Sequence, residues 1–386
     1  MHVGIICNEH PLISEGGGIG SFTDSLSKGL IKNGHSVIIF GVYKSINKKI
    51  VINKEKLKIV GIPYVYIPKI HNWYNRRRLM AFIENENSKK KISILESPDY
   101  QGWLYKTNLS IPKIIRFHSS QKVGFDSSID IKNLPLDLKL EEKSLSYADY
   151  LCACGSSVAD AARKTYISSM FPKNKKIKII YNSVDTDVFK PSKKINRNSK
   201  NIVFAGRLSY KKGVVELIKA WEKFNHRYSD FKLILAGNDS KYNTLSMKEY
   251  LQSILSPKAK KNVIFRGFLS NQNMIKLFQE STIFIFPSHR EAFSVVVLEA
   301  MSTGTPVIYS KIKPGYEIIK DGINGLLCDP KDPDDIMNSI LKIIEDEDLK
   351  TSLGINGRKT VENNFSIEKI VIENIKFYES CIKNYV

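Results

Sequence analysis

The sequence is poor in cysteine and has no long apolar run, and each shortage narrows what the chain can be. Five cysteines in 386 residues (Cys7, Cys152, Cys154, Cys328 and Cys381) are too few and too scattered for a disulfide scaffold. Cys152 and Cys154 lie close together but lack the second pair of ligands that a zinc site needs. All five are therefore expected to be reduced and mostly buried. No apolar stretch approaches the ~18 residues of a membrane span. The opening MHVGIICNEHPL has no basic region ahead of its short apolar run, so it reads as a first strand and not as a signal peptide. A cytoplasmic protein is the expectation.

Positive charge is what the chain has in excess. Lysine and arginine number 59 against 39 aspartates and glutamates, a net charge of +20. That balance fits either an anionic partner or a lysine-rich background, and the lysines are spread along the chain. No nucleic-acid-binding module is recognisable, so nucleic acid is not an expected partner. The length exceeds one typical domain and suits two of ordinary size, each with its own core.

The first forty residues alternate strand, loop, helix and strand. HVGIIC (2–7) is a short apolar run; Ile19, Phe22, Leu26 and Leu30 recur at helical spacing; Gly34 supplies a stop; and SVIIF (36–40) is a second buried strand. The same plan restarts near residue 201, with NIVFAG, a helix through Val214, Leu217, Ile218, Trp221 and Phe224, and then FKLILAG (231–237). NVIFRGF (262–268), STIFIFPS (281–288) and TPVIYS (305–310) continue the alternation. The pattern predicts an α/β chain of two doubly wound, Rossmann-like domains with parallel sheets. FKPSKKINRNSK (189–200) is polar, basic and aperiodic, so the boundary is expected there, with domains at 1–190 and 191–366. Helical spacing resumes at Ile367, Ile370, Ile375 and Phe377.

SEGGGIGSFTDSL (14–26) resembles a phosphate-binding glycine loop but fails the dinucleotide fingerprint on three counts. Its glycines begin nine residues after Cys7, Thr23 stands where the third glycine belongs, and no carboxylate follows the second strand. What remains is a flexible surface loop or a loop whose free N–H groups receive another anion. The densest signal is PSHREAFSVVVLEAMSTGTPVIYS (287–310), with Glu291 in a loop after a strand and Glu299 eight residues on, along a helix starting near Ser294. Two glutamates alone would read as surface acids. In a strand, loop and helix frame they face a crevice where carboxylates take hydroxyl groups and free N–H groups take phosphate, as a sugar nucleotide requires.

Together these segments resemble the retaining glycosyltransferases of the GT-B fold, most of all those of family 4. The glycine loop with GHSV (34–37), YNSVDTDVFKP (181–191), AGRLSYKKGVVELIKAW (205–221) and the two-glutamate segment match four of that family's motifs in order and spacing. The resemblance implies two domains facing across a cleft, with the helix at about 367–386 packing back on the first. It implies that Arg207 and Lys212 hold the donor diphosphate without a metal or other cofactor, and that Glu299 binds the ribose. It further implies that Glu291 contacts sugar hydroxyls and that the backbone of Phe293, Ser294 and Val295 touches sugar or phosphate. Gly17 and Gly18 would close over the diphosphate, and His118 would stand near the reacting carbon, whereas a lone histidine is otherwise more often structural.

The chain departs from the family at Ala292, Ser294 and Ser183, where glycine is usual, which bears on the identity of the donor sugar. The implied reaction moves a sugar from a nucleotide diphosphate sugar, a UDP-sugar or GDP-mannose, to a hydroxyl of a glycan or lipid-linked acceptor in polysaccharide or glycoconjugate synthesis. A nucleotide-sugar epimerase or hydrolase, or a non-catalytic subunit of this fold, are the alternatives. In IPKIHNWYNRRRLMAFI (67–83), Arg76, Arg77 and Arg78 beside Trp73 and Tyr74 suit an anionic membrane surface or an ordinary solvated helix.

Overall fold

The computed structural model describes residues 1–14, 17–118, 136–166, 176–192 and 199–385. The chain divides into two compact units, Met1–Ser183 with Ile367–Val386, and Val184–Ser366.

In the first unit the strands are β1 (His2–Ile6), β2 (Ser36–Tyr43), β3 (Ile50–Lys54), β4 (Leu57–Pro63), β5 (Ile94–Pro98), β6 (Lys113–Phe117), β7 (Tyr150–Ala153) and β8 (Ile177–Ile179). Between them run α1 (Gly18–Lys32), α2 (His71–Lys89), α3 (Leu136–Ser144) and α4 (Ser156–Tyr166). The sheet order is β3-β4-β2-β1-β5-β6-β7-β8, parallel except for β3. Chain order reverses between β1 and β5, which pair in register from Val3 with Ile94. In open α/β sheets a ligand crevice lies outside the carboxyl ends at such a reversal.

The second unit repeats the plan with β9 (Asn201–Ala205), β10 (Lys232–Ala236), the small hairpin β11 (Lys241–Tyr242) and β12 (Leu245–Ser246), β13 (Val263–Gly267), β14 (Ile283–Phe286), β15 (Val307–Ser310) and β16 (Leu326–Cys328). Its helices are α5 (Val214–Arg227), α6 (Met247–Ser253), α7 (Pro257–Lys260), α8 (Asn271–Gln279), α9 (Val295–Ser302), α10 (Lys313–Ile318), α11 (Pro333–Ile344) and α12 (Glu347–Asn364). The main sheet is β13-β10-β9-β14-β15-β16, all parallel. Its reversal falls between β9 and β14.

The break lies at 183/184, seven residues before the expected 190/191. Residues 184–190 are held by the second unit: Val184 N–H donates to Phe365 O (2.9 Å), and Phe189 O accepts from Arg358 Nη1 (2.8 Å) and Ser302 Oγ (2.5 Å). Linker composition marked the exposed stretch, not the place where contacts change sides.

α13 (Ile367–Lys383) belongs to the first unit. Its Ile367, Val371, Tyr378 and Cys381 join the core of Val3, Ile5, Phe22, Leu26 and Ile94. A Cβ on Gly29 of α1 would stand 2.2 Å from Val371 Cγ2, so the two helices pack this closely only because Gly29 has no side chain. Beneath them Arg116 of β6 is fully buried and pairs with both Glu96 oxygens (Nε to Oε1 2.8 Å, Nη2 to Oε2 2.9 Å). Asn374 Oδ1 accepts from Arg116 Nη2 (2.5 Å), and Tyr378 Oη donates to Glu96 Oε2 (2.8 Å). Two-point geometry and further hydrogen bonds are what a buried ion pair needs to offset its dehydration. The network fastens α13 to the centre of the sheet and fixes the strand that ends one residue before His118.

All five cysteines are free and buried.

Candidate active site

The two loops that leave β9 and β14 build the site of the second unit. After β9, Gly206 at φ +156 donates its N–H to Ala236 O (2.8 Å), and Leu208 N–H donates to Asn238 O (2.9 Å). These bonds hold Arg207 between them, exposed and in no ion pair among the described residues. A short turn at Tyr210–Lys212 ends at Gly213, whose φ is +68. A Cβ there would fall 1.7 Å from Pro287 O, so only glycine lets the two loops touch.

The touching loops are cross-linked. His289 N–H donates to Lys211 O (3.0 Å), and Ser288 Oγ lies 3.0 Å from that carbonyl and 2.7 Å from Glu291 Oε1. The His289 ring is itself held, with Nε2 3.1 Å from both Glu216 Oε2 and Pro330 O. Lys212 Nζ is ion-paired with Glu291 Oε1, the lysine partly exposed and the glutamate nearly buried.

Ser294 is the N-cap of α9, and its side chain makes no capping hydrogen bond; the first turn carries no acidic residue. The positive end of this helix is thus left without an internal anion. Along α9, Val297, Leu298, Ala300 and Met301 are buried, whereas Val295, Val296 and Glu299 keep partial exposure. The spacing puts Glu299 on the same face as the first turn. No hydrogen bond reaches its carboxylate from the described residues, and dehydration pushes its pKa up to about 7. Phe293 is buried against the Phe365 ring (centroids 5.9 Å). The structure therefore brings Arg207, Lys212, Glu291, Ser294, Val295 and Glu299 to the carboxyl ends of β9 and β14. An anion and a set of hydroxyl groups could be held there together.

In the first unit His118 follows β6. Its N–H donates to Asp99 Oδ1 (3.1 Å), and its ring packs edge-on to Phe22 of α1 (5.0 Å). Dehydration, reinforced by the Arg116 charge, lowers its pKa to about 3, so the ring is neutral near pH 7.

Gly17 and Gly18 begin α1, but a residue with no evident sequence signal intervenes. Glu9 Oε1 accepts the N–H groups of Ile19 (2.8 Å) and Gly20 (3.0 Å), so an internal carboxylate serves the turn expected to meet a diphosphate. A Cβ on Gly17 would meet Glu9 Oε1 at 2.5 Å, and one on Gly20 would meet Glu9 O at 1.9 Å, while Gly18 has nothing within 4 Å. The glycines make room for Glu9, and Gly18 is not among those that need to be glycine.

The arginine run departs from the sequence reading. Arg76 is 6% exposed and donates through Nε (3.1 Å) and Nη2 (2.5 Å) to Gln101 O. Arg78 donates to Pro63 O (2.8 Å), leaving Arg77 as the exposed member, over the Trp73 ring. Two of the three are thus tied to backbone carbonyls of the first unit. No helix among the described residues is long and apolar enough to cross a membrane.

Comparison with known proteins agrees with the geometry. Residues 185–360 match the family model described as Glycosyl transferases group 1, and residues 16–188 match that of Glycosyltransferase Family 4. An uncharacterized glycosyltransferase of Methanocaldococcus jannaschii is 26% identical over 95% of both chains. The capsular polysaccharide biosynthesis glycosyltransferase CapM of Staphylococcus aureus is 31% identical over 47% of this chain and 46% of its own. Among solved structures, Anabaena HepE in complex with UDP superposes with a TM-score of 0.72 at 17% identity, covering 98% of this chain and 99% of that one. Two doubly wound units, with an unneutralised helix end and paired cation and carboxylate at one switch point, carry family matches over nearly their whole length. The chain is a glycosyltransferase of the GT-B fold, its first part matching the Glycosyltransferase Family 4 model and its second the Glycosyl transferases group 1 model.

Proposed function

We propose that the protein transfers a glycosyl group from a UDP-sugar to a hydroxyl of a glycan or lipid-linked acceptor, with retention at the anomeric carbon. The observation that carries this reading is the Lys212–Glu291 pair beside the uncapped start of α9, with dehydrated, unpartnered Glu299 on the same helix. A diphosphate satisfies Lys212, Arg207 and the helix end; ribose hydroxyls satisfy Glu299; sugar hydroxyls take the Glu291 carboxylate that the lysine releases. UDP is favoured because HepE, of the same fold, was solved with it. CapM's role in capsular polysaccharide synthesis supports a polysaccharide acceptor.

In the reaction the bond from the anomeric carbon to the diphosphate oxygen breaks as the acceptor oxygen bonds to that carbon. The acceptor proton passes to the departing diphosphate. Negative charge grows on the leaving group, and Arg207, Lys212 and the α9 N-terminus are fixed cations and dipoles aimed at it. The His118 ring of the first unit, neutral near pH 7, offers a hydrogen-bonding group and not an acid.

The test is a thermal-shift series with UDP, GDP and their common sugar conjugates, followed by product analysis with oligosaccharide acceptors. A UDP-specific rise in melting temperature and transfer with retained anomeric configuration are expected. Donor consumption of equal rate without any acceptor would instead favour the hydrolase or epimerase reading.

A further inference from the structure

Four described α-helices of the second unit have a serine as N-cap, and one of these serines behaves unlike the rest. The hydroxyls of Ser246, Ser256 and Ser270 each accept the N–H group three residues on, that of Glu249, Ala259 and Asn273, at the starts of α6, α7 and α8. Their ψ angles are 154°, 155° and 158°, the extended backbone of a capping residue. Ser294, before α9, has a ψ of 97° and caps nothing with its side chain. The N–H of Val297, three residues on, lies 3.2 Å from the Ser294 carbonyl instead.

A tyrosine accounts for the difference. Tyr309 of β15 pairs in register with Phe286 of β14, and the two rings pack 6.0 Å apart. Its side chain is fully buried, and the phenol ends next to the Ser294 hydroxyl, within the field of Glu291. Tyr309 Oη is closed to solvent and completes no hydrogen bond among the described residues. Burial and the Glu291 charge keep the phenol protonated at neutral pH, so it is a donor. A buried donor is costly to leave unbonded, and the Ser294 oxygen is the acceptor at hand. That attraction turns the serine oxygen towards the phenol and away from the N–H groups of its own helix.

We infer that Tyr309 is a positioning residue of the donor site: its hydroxyl draws that of Ser294 off the end of α9, leaving the first turn open to the donor's phosphate or sugar oxygens. The inference rests on the glycosyl-transfer reading and adds to it the residue that keeps the helix end open. A capping oxygen and a bound anion occupy the same place over the first-turn N–H groups, so a released serine would compete with the donor. Tyr309 itself, sealed from the surface, touches no ligand and acts through Ser294. Stability is forgone for binding at this pair of hydroxyls, since the helix lacks a cap it could have.

The experiment compares full-length wild type with Tyr309→Phe, Ser294→Ala and the double variant. Each is titrated calorimetrically with UDP and with UDP-glucose, and its melting temperature and the amide exchange of α9 are measured without nucleotide. Tyr309→Phe keeps the ring on Phe286 and removes only the hydroxyl. Ser294 should then cap α9. Exchange at Val296 and Val297 should slow about fivefold, the melting temperature should rise, and affinity for UDP or UDP-glucose should fall about fivefold, the worth of one serine cap. In the Ser294→Ala background the same substitution should change neither exchange nor affinity, because no hydroxyl is left to cap. An equal loss of affinity in both backgrounds, or a lower melting temperature with unchanged exchange, makes Tyr309 a packing residue only and overturns the inference. Failure of the glycosyl-transfer reading looks different, with wild type binding neither UDP nor UDP-glucose. In that case slowed exchange in Tyr309→Phe alone still supports the hold on Ser294, and unchanged exchange overturns it.

Discussion

Lys212 Nζ is ion-paired with the Glu291 carboxylate across 79 positions of sequence, so the cation proposed to hold the diphosphate rests on the acid proposed to hold the sugar. Each ligand group must displace one half of that pair. Glu291→Gln releases the lysine, and UDP should then bind at least as tightly as to wild type, while glycosyl transfer falls about 100-fold or more. Lys212→Ala should weaken both. Calorimetric UDP titration beside turnover checks this, and a parallel loss of UDP affinity in Glu291→Gln would contradict it.

The proposed contact of Glu299 with the ribose would couple nucleotide binding to pH. Its carboxyl titrates near 7 in the folded protein against a usual value of 4.5. Hydroxyl donors favour the ionised form, so UDP binding at pH 6.5 should release protons, measurable as a dependence of binding heat on the buffer's ionisation enthalpy. In Glu299→Gln the release should vanish. Stability follows from the same shift. As pH rises from 4.5 towards 7 the unfolded chain ionises while the folded carboxyl keeps its proton, and stability falls by at most about 1.4 kcal/mol per pH unit. Melting temperature should therefore decline less over that range in the variant.

His118 has the opposite sign. Its folded pKa of about 3 lies below the usual 6.5, so on acidification from 6.5 the unfolded chain takes up a proton that the folded ring refuses. His118→Asn should lose part of the wild-type fall in melting temperature between pH 6.5 and 4. The slope will not vanish, because burial also lowers the pKa of His10.

The Arg116–Glu96 pair should show the asymmetry of buried charge. Arg116→Met leaves Glu96 dehydrated with Tyr378 alone and should cost about 3–5 kcal/mol. Adding Glu96→Leu should restore most of the loss, and denaturant unfolding of both variants measures it. Equal destabilisation of the two would mean that packing, not charge, is what Arg116 provides.

Most of the fold was legible because parallel strands covered on both faces are apolar runs, as in SVIIF and TPVIYS. The second-unit site was legible for a similar reason, since its residues follow directly after such strands. What the sequence hid were side chains whose partners are distant in the chain. Glu9 belongs to no motif, yet it accepts the first N–H groups of α1 from ten residues away. Arg76 and Arg78 read as free surface charges because nothing local reveals that backbone carbonyls at Gln101 and Pro63 receive them. Arg116 was silent inside the apolar KIIRF, since its neutralising partners lie on β5 and α13.

The place of α13 in the first unit also sets an order of events at the ribosome. Residues 1–183 emerge first, but the segment that fills their core and meets Arg116 is made only after the whole of 184–366. At roughly 5–20 residues per second, the later unit can finish folding while the earlier one waits on the order of ten seconds or more with an unfilled groove beside α1. Synthesis thus completes the second unit first, and a nascent-chain protease assay should find residues 1–183 the last to become resistant.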